Sequence, residues 1–238
     1  MIPTVFRDRW LWVIDKPSGM PVQGTRKGEP NVFDALAREV AYLGLHHRLD
    51  QPASGLVLLT LDQAINPAIA SLFRDHRIER RYLAVLDGEL EAPARWDRPI
   101  EGQPAATQVT PLDHGAGMTL VELELETGRK HQIRIHAALA GHPVIGDRRY
   151  GGEEVGRRWP RLALHAEQLT FEHPRSGNRL ALCAKVPADL VALLPALGSR
   201  DLPGPRGDRL PLLPQRSGGV HGPRSKGPGP QGRGGAAD

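Results

Sequence analysis

Residues 46–60 read His46-His47-Arg48-Leu49-Asp50-Gln51-Pro52-Ala53-Ser54-Gly55-Leu56-Val57-Leu58-Leu59-Thr60. Two regimes meet in this stretch. Its second half is a continuous apolar run of strand length, the pattern of a strand buried on both faces. Its first half is polar and carries Gln51-Pro52 and Ser54-Gly55, which favour turns. Asp50 therefore lies in a turn that feeds a buried strand, at a sheet edge where clefts form. Ser54-Gly55 is expected to permit a close approach of backbone to substrate.

Working outward, the pattern predicts mixed α and β structure. Strands are expected at residues 11–14, 56–60, 82–86 and 118–126, the last alternating apolar and acidic side chains. Asn31 can cap a helix running to Val40, with Phe33, Leu36 and Val40 on one side. Asp62 can cap another running toward His76, and residues 130–139 fit a helix that stops at Gly141. Residues 161–171 and 179–186 read as paired strands around a Ser176-Gly177-Asn178 turn. A short helix over 188–197 closes the pattern. Adjacent strand pairs with a few interspersed helices predict an α+β sheet and not a doubly wound one.

The composition changes after Gly198. Residues 198–238 are rich in Gly, Pro and Arg and hold few apolar side chains, among them Leu210, Leu212, Leu213 and Val220. Such a segment cannot bury enough surface to offset its ordering entropy. It is expected to be a disordered basic tail, either a functionless extension or a weak, non-specific RNA tether. Residues 1–197 are expected to form the catalytic domain, long enough to bury a sizeable core.

The formal net charge is +4, which favours polyanionic partners, chiefly nucleic acid. Most of that positive charge is arginine, whose planar head suits phosphate and base edges. A GC-rich gene would give the same bias. No apolar run approaches the roughly 18 residues that span a bilayer. The opening residues lack a basic segment followed by an apolar one, so no secretory signal is expected. A single cysteine, Cys183, excludes an internal disulfide framework. Together these features predict a cytoplasmic protein.

Three polar clusters interrupt the apolar pattern. They are His46 to Asp50, then Arg80-Arg81-Tyr82, then Thr127-Gly128-Arg129-Lys130-His131-Gln132-Ile133-Arg134-Ile135-His136. Taken alone, Asp50 could be a catalytic carboxylate, the partner of Arg48 in a surface ion pair, or a cap. The histidines raise a metal reading, a hydrolase using His46, His47 and Asp50. Zinc sites need three or four ligands at clear spacings. His131 and His136 are five apart and do not share a helix face. The fingerprints of phosphate loops, dinucleotide folds and nucleophile elbows are absent. What remains is a carboxylate with arginines and a tyrosine, suited to covalent carboxylate catalysis on a polyanion.

At this point the sequence resembles the RluA-type pseudouridine synthases. Residues 47–60 resemble that family's His-Arg-Leu-Asp signature with its Ser-Gly and apolar strand. Trp10-Leu11-Trp12-Val13-Ile14-Asp15-Lys16-Pro17-Ser18-Gly19 resembles its opening strand and loop. Arg80-Arg81-Tyr82-Leu83-Ala84-Val85 resembles its tyrosine strand. Residues 127–152 resemble its long C-terminal motif, and residues 161–177 its closing strands. Three departures are visible. Ala53 stands where the family usually has Thr, the small N-terminal RNA-binding domain of some relatives is not seen, and the basic tail is outside the pattern.

The resemblance implies a pseudouridine synthase fold: a central, mostly antiparallel mixed sheet with flanking helices and an active-site cleft. It implies isomerisation of uridine to pseudouridine in a structured ribosomal or transfer RNA with no cofactor or metal; a monomer that engages no membrane is expected. By the same resemblance Asp50 is the essential carboxylate. Arg134 pairs with it through a charge-assisted fork. Tyr82 sets its ring beside the target base. Arg48 enters the space that the flipped base vacates, and Arg129, Lys130 and His131 are expected on the RNA-facing side. An inactive RNA-binding descendant would have lost one of these groups, whereas Asp50, Tyr82 and Arg134 are all present.

Overall fold

A computed structural model describes residues 2–24 and 28–197. The expected basic tail, 198–238, lies outside the described residues. The chain lays down β1 (Thr4–Arg7), β2 (Leu11–Lys16), α1 (Val32–Ala37), β3 (Gly44–Leu45), β4 (Ser54–Thr60) and α2 (Asn66–Arg74). There follow β5 (Glu79–Asp87), β6 (Ala94–Trp96), β7 (Thr107–Gly115), β8 (Met118–Leu125), α3 (Gln132–Leu139) and α4 (Gly152–Arg157). It closes with β9 (Leu164–Glu172), β10 (Arg179–Cys183) and α5 (Ala188–Val191).

The strands form a single sheet in the order β1-β2-β4-β9-β5-β8-β7-β6, with β3 beside β4 and β10 beside β9. Its pairs are antiparallel except β4 with β9, where Ser54 and Gly55 run parallel to His165 and Ala166. This is the mixed, mostly antiparallel α+β sheet that the sequence predicts. The run Leu56-Val57-Leu58-Leu59 explains why β4 sits inside it. Val57 and Leu59 enter one apolar core, with Val32 and Leu36 of α1 and Ile133 and Ala137 of α3. Leu56 and Leu58 enter a second core on the opposite face, with Ile69 and Leu72 of α2. A strand that feeds two cores shows no polar alternation.

The expected caps form. Asn31 accepts from the Asp34 N–H at 2.9 Å and starts α1. Asp62 accepts from the Ala64 N–H at 2.9 Å and starts a short 3-10 turn that leads into α2. Several boundaries differ from expectation. The first helix ends at Ala37, short of Val40. Helix α3 starts at Gln132 and not Lys130, because His131 takes a left-handed conformation (φ 56°) that no right-handed helix continues. The closing segment divides into α5 and a 3-10 turn over Leu194–Leu197 that contains Pro195, a residue with no N–H to offer an α-helix. Strands β1, β6 and β7 carry no strong apolar run, and pairing with stronger neighbours makes them strands. Pro111 sits at the register break of β7, where a strand tolerates proline.

Gly55 does something other than the sequence suggests. It adopts φ +114° beside the β9 backbone, and a Cβ there would lie 2.6 Å from the Ala166 nitrogen. The close approach is thus to β9, not to substrate. It matters because Ala166 pairs on its other side with Tyr82 of β5. One row across the sheet, Gly55–Ala166–Tyr82, fixes the spacing between the Asp50 turn and the tyrosine. Gly55→Ala should combine backbone strain with a backbone clash, each of order 1–3 kcal/mol. We expect thermal denaturation of this variant at least roughly 4 °C below wild type; an unchanged midpoint would show that the β4–β9 contact gives way freely.

Candidate active site

Asp50 sits in the turn before β4, closed by the Ala53 N–H to the Asp50 carbonyl at 3.0 Å. That turn docks on the loop after β2. Ser18 Oγ donates to Pro52 O at 2.7 Å, the Gly19 N–H to Gln51 O at 2.8 Å, and Gln51 Nε2 to Gly19 O at 3.0 Å. Beneath both loops Lys16 is fully buried, its ammonium donating to the carbonyls of Pro17, Met20 and Gln51. Burial pulls its pKa down to about 8, with the Asp50 charge opposing that fall. Lys16 therefore ties the opening loop to the Asp50 turn, a role its position at a strand end does not announce.

The carboxylate meets Arg134, which α3 presents from its first turn. Arg134 Nη1 donates to Asp50 Oδ2 at 3.0 Å. The fork expected toward Asp50 goes elsewhere: Nε and Nη2 donate, both at 2.8 Å, to the two oxygens of Asp147. The reason is local. Asp147 belongs to the turn after Ile145 and also accepts the N–H groups of Arg149 and Tyr150, so contacts other than the guanidinium hold it in place. Side-chain exposure orders the three groups at 0% for Asp147, 7% for Arg134 and 21% for Asp50. Asp147 is the buried anchor, Arg134 the bridge and Asp50 the end most open to the cleft. Burial alone would raise the Asp147 pKa; the Arg134 contacts and two backbone N–H groups overcome it and hold the carboxyl below its ordinary value.

The start of α3 is equally constrained. Gln132 is buried and uses both ends of its amide. Its oxygen accepts from Thr127 Oγ1 at 2.7 Å and the Arg129 N–H at 2.9 Å; its nitrogen donates to Ala106 O and Thr107 Oγ1. The left-handed His131 turns toward the cleft, its Nδ1 hydrogen-bonded to the Tyr150 hydroxyl at 2.8 Å and its Nε2 3.6 Å from Asp50 Oδ1. Burial lowers the His131 pKa, with Asp50 opposing. His136 points away and binds Thr107 and the Arg98 carbonyl, so it supports the fold.

Asp50, Tyr82, Arg134, Arg48, Arg129, Lys130 and His131 all line one cleft of about 930 Å³. Tyr82 is 8% exposed, and burial raises its hydroxyl pKa. Arg48, Arg129 and Lys130 are exposed at the cleft and form no ion pair among the described residues. Arg129 also donates to Pro104 O at 2.9 Å. His46 and His47 face the cleft but are otherwise engaged. His46 Nε2 binds Thr60 and Asn66, and His47 Nε2 accepts the Leu58 N–H at 2.8 Å. Among the described residues no group of three or more His, Cys, Asp and Glu is placed to hold a metal ion. The ion pair weighed for Arg48 and Asp50 is replaced by Asp50 with Arg134.

The family model described as RNA pseudouridylate synthase matches residues 10–139. The chain belongs to this family. It is 34% identical over 227 residues to a ribosomal large subunit pseudouridine synthase D of Nitrosomonas europaea, covering 84% of this chain and 65% of that protein. It is 32% identical over 204 residues to the dual-specificity RNA pseudouridine synthase RluA of Escherichia coli, covering 78% of this chain and 92% of that protein. Among solved structures, human RNA pseudouridylate synthase domain containing 4 superposes with TM-score 0.70 at 25% identity, covering 82% of this chain and 93% of the human one. The RluA-type resemblance and the isomerase reading of the sequence agree with these findings. The chain spans about two thirds of the length of the Nitrosomonas relative.

Two measurements check this candidate site. Asp147→Asn removes the fixed anion behind Arg134 while keeping its shape. Misplacing a reacting group by about 1 Å costs on the order of 100-fold, so we expect the single-turnover rate to fall roughly 10–100-fold with RNA affinity nearly unchanged. A rate within about twofold of wild type would remove Asp147 from the positioning chain. The second concerns acid stability. Burial depresses His47 to about 3 and His165 to about 4. Both are neutral when folded but protonate near 6.5 when unfolded. The unfolded state thus binds more protons between those values. Stability should be full above pH ~6.5 and fall as pH drops toward 4, by about 1.4 kcal/mol per pH unit for each imidazole. Urea titrations at stepped pH read this slope, and a flat profile over that window would refute it.

Proposed function

We propose that Asp50 acts as the nucleophilic or proton-abstracting carboxylate that converts a uridine in structured RNA to pseudouridine. One observation carries this reading: Asp50 is the exposed end of a buried Asp147–Arg134–Asp50 chain, facing a cleft that also holds Tyr82. A carboxylate held this way keeps its orientation when a base enters and water leaves.

The reaction needs access to a stacked base, so the nucleotide must first leave its helix. Unstacking costs a few kcal/mol. Phosphate contacts from Arg129 and Lys130, and Arg48 filling the vacated space, offset that cost. The extruded uracil then lies against Tyr82. Asp50 assists scission of the bond between ribose C1′ and uracil N1, either by adding to C1′ or by taking a ribose proton. Addition to uracil C6 is a further route. The freed ring turns within the cleft, and C5 bonds to C1′. Loss of the C5 proton and gain of a proton at N1 complete an isomer of identical composition. The Tyr82 hydroxyl, kept protonated by burial, is placed beside the ring for that late proton traffic.

Ribosomal RNA is the favoured substrate, supported by the names of the bacterial relatives, with transfer RNA as the second substrate to test. We place the protein in the cytoplasm as a monomer recognising a compact stem-loop. Among the described residues no helix is long and apolar enough to cross a membrane.

The experiment is a pseudouridine map. Total RNA from cells lacking the gene is treated with carbodiimide, and reverse-transcription stops are compared with the parent strain. We expect a stop to vanish and to return with the wild-type gene but not with Asp50→Asn. Restoration by Asp50→Asn would overturn the assignment of Asp50.

A further inference from the structure

Arg80 is a cation that the proposed chemistry leaves without a task. It lies on β5 two residues before Tyr82 and lines the same cleft, yet is only 9% exposed. Its Nη2 donates to the carbonyls of Thr127 at 3.1 Å and Leu125 at 3.5 Å. Among the described residues its Nε is buried with no hydrogen-bond partner, and its side-chain hydrogen bonds are those of Nη2. No carboxylate pairs with it among the described residues, although Arg81 next door pairs with Glu124. Buried guanidinium groups normally have such a counterion.

A neighbouring residue leaves this group uncovered. A Cβ at Gly128 would lie 2.7 Å from Arg80 Nη1, and Gly128 is itself exposed on the cleft. Gly128 has no positive φ, so its backbone conformation does not require glycine. A side chain there would instead displace the flexible Nη1 end of Arg80.

We propose that Arg80 is a phosphate-binding residue that grips the backbone of the RNA strand carrying the target uridine. This rests on the RNA-isomerase reading above and adds a binding residue beside Tyr82 to it. The missing counterion comes with the substrate: the Nη1 end of this guanidinium, in the wall of a cleft, matches a phosphodiester oxygen in charge and as a hydrogen-bond donor. A contact to a uracil carbonyl would use the same N–H groups but would release no counterion, which separates the two chemically.

The test measures binding of an unmodified large-subunit ribosomal RNA transcript at several salt concentrations. It uses an Asp50→Asn background so that turnover does not intervene. Removing one phosphate contact lowers the slope of log affinity against log salt by roughly 0.7–0.9. Arg80→Met should show that loss of slope, and Arg80→Lys should retain the slope. Gly128→Ala should weaken binding severalfold with an unchanged melting temperature, because it displaces Nη1 and leaves the charge. An unchanged slope in Arg80→Met overturns the proposal, whether through a base contact or a purely structural tie to the Thr127 carbonyl. If Arg80→Met does not fold, unchanged affinity in Gly128→Ala overturns it instead. Failure of the wild type to make pseudouridine in any transcript would sink the isomerase reading while leaving the salt slope readable.

Discussion

The structure turns on one guanidinium caught between two carboxylates. Arg134 is nearly buried, and a lone buried cation would be costly by several kcal/mol. Asp147 offsets that cost with two parallel contacts and is itself satisfied by backbone N–H groups. This leaves one N–H of Arg134 aimed at Asp50. The carboxylate that faces solvent is thereby oriented by groups that do not. Because Asp50, Arg134 and Asp147 come from three separate segments, the constraint holds only when the sheet has assembled around them.

The sheet order explains how those segments meet. Strand β9, late in the chain, inserts between β4 and β5. It draws the Asp50 turn and Tyr82 to either side of Ala166. Gly55 is the concession that allows it. On the far side of the Asp50 turn, Lys16 and its three carbonyl partners hold the opening loop in place. The cleft is therefore built from hydrogen-bonded loops, strand ends and the first turn of a helix, with its exposed arginines and lysine at the surface.

Much of this is legible in the sequence, for identifiable reasons. The run from Leu56 to Thr60 declares a buried strand, and the Asn31 and Asp62 caps declare helix starts, because each signal is local. The resemblance of five ordered segments singles out Asp50, Tyr82 and Arg134, which the structure brings to one cleft. What escapes is whatever depends on distant partners. Thr107 to Gly115 becomes a strand only by pairing with β8. Asp147 looks like any turn residue until Arg134, thirteen positions earlier, docks on it. Arg80 and Arg81 are indistinguishable as neighbours, yet among the described residues one is buried without a carboxylate and the other is paired with Glu124. Gly55 reads as freedom beside a substrate, and the structure spends that freedom on a neighbouring strand.

If the orientation of Asp50 is what the fold provides, the shape of the group at position 134 matters more than its charge. Lysine keeps the charge but offers a single nitrogen, which cannot hold both carboxylates in a fixed plane. The direct measurement is single-turnover release of tritium from ribosomal RNA transcribed with uridine labelled at C5, comparing wild type with Arg134→Lys. We expect a loss on the order of 100-fold in rate, with the melting profile still cooperative and RNA still bound. A rate for Arg134→Lys close to wild type would contradict it, because charge alone would then suffice to place the carboxylate.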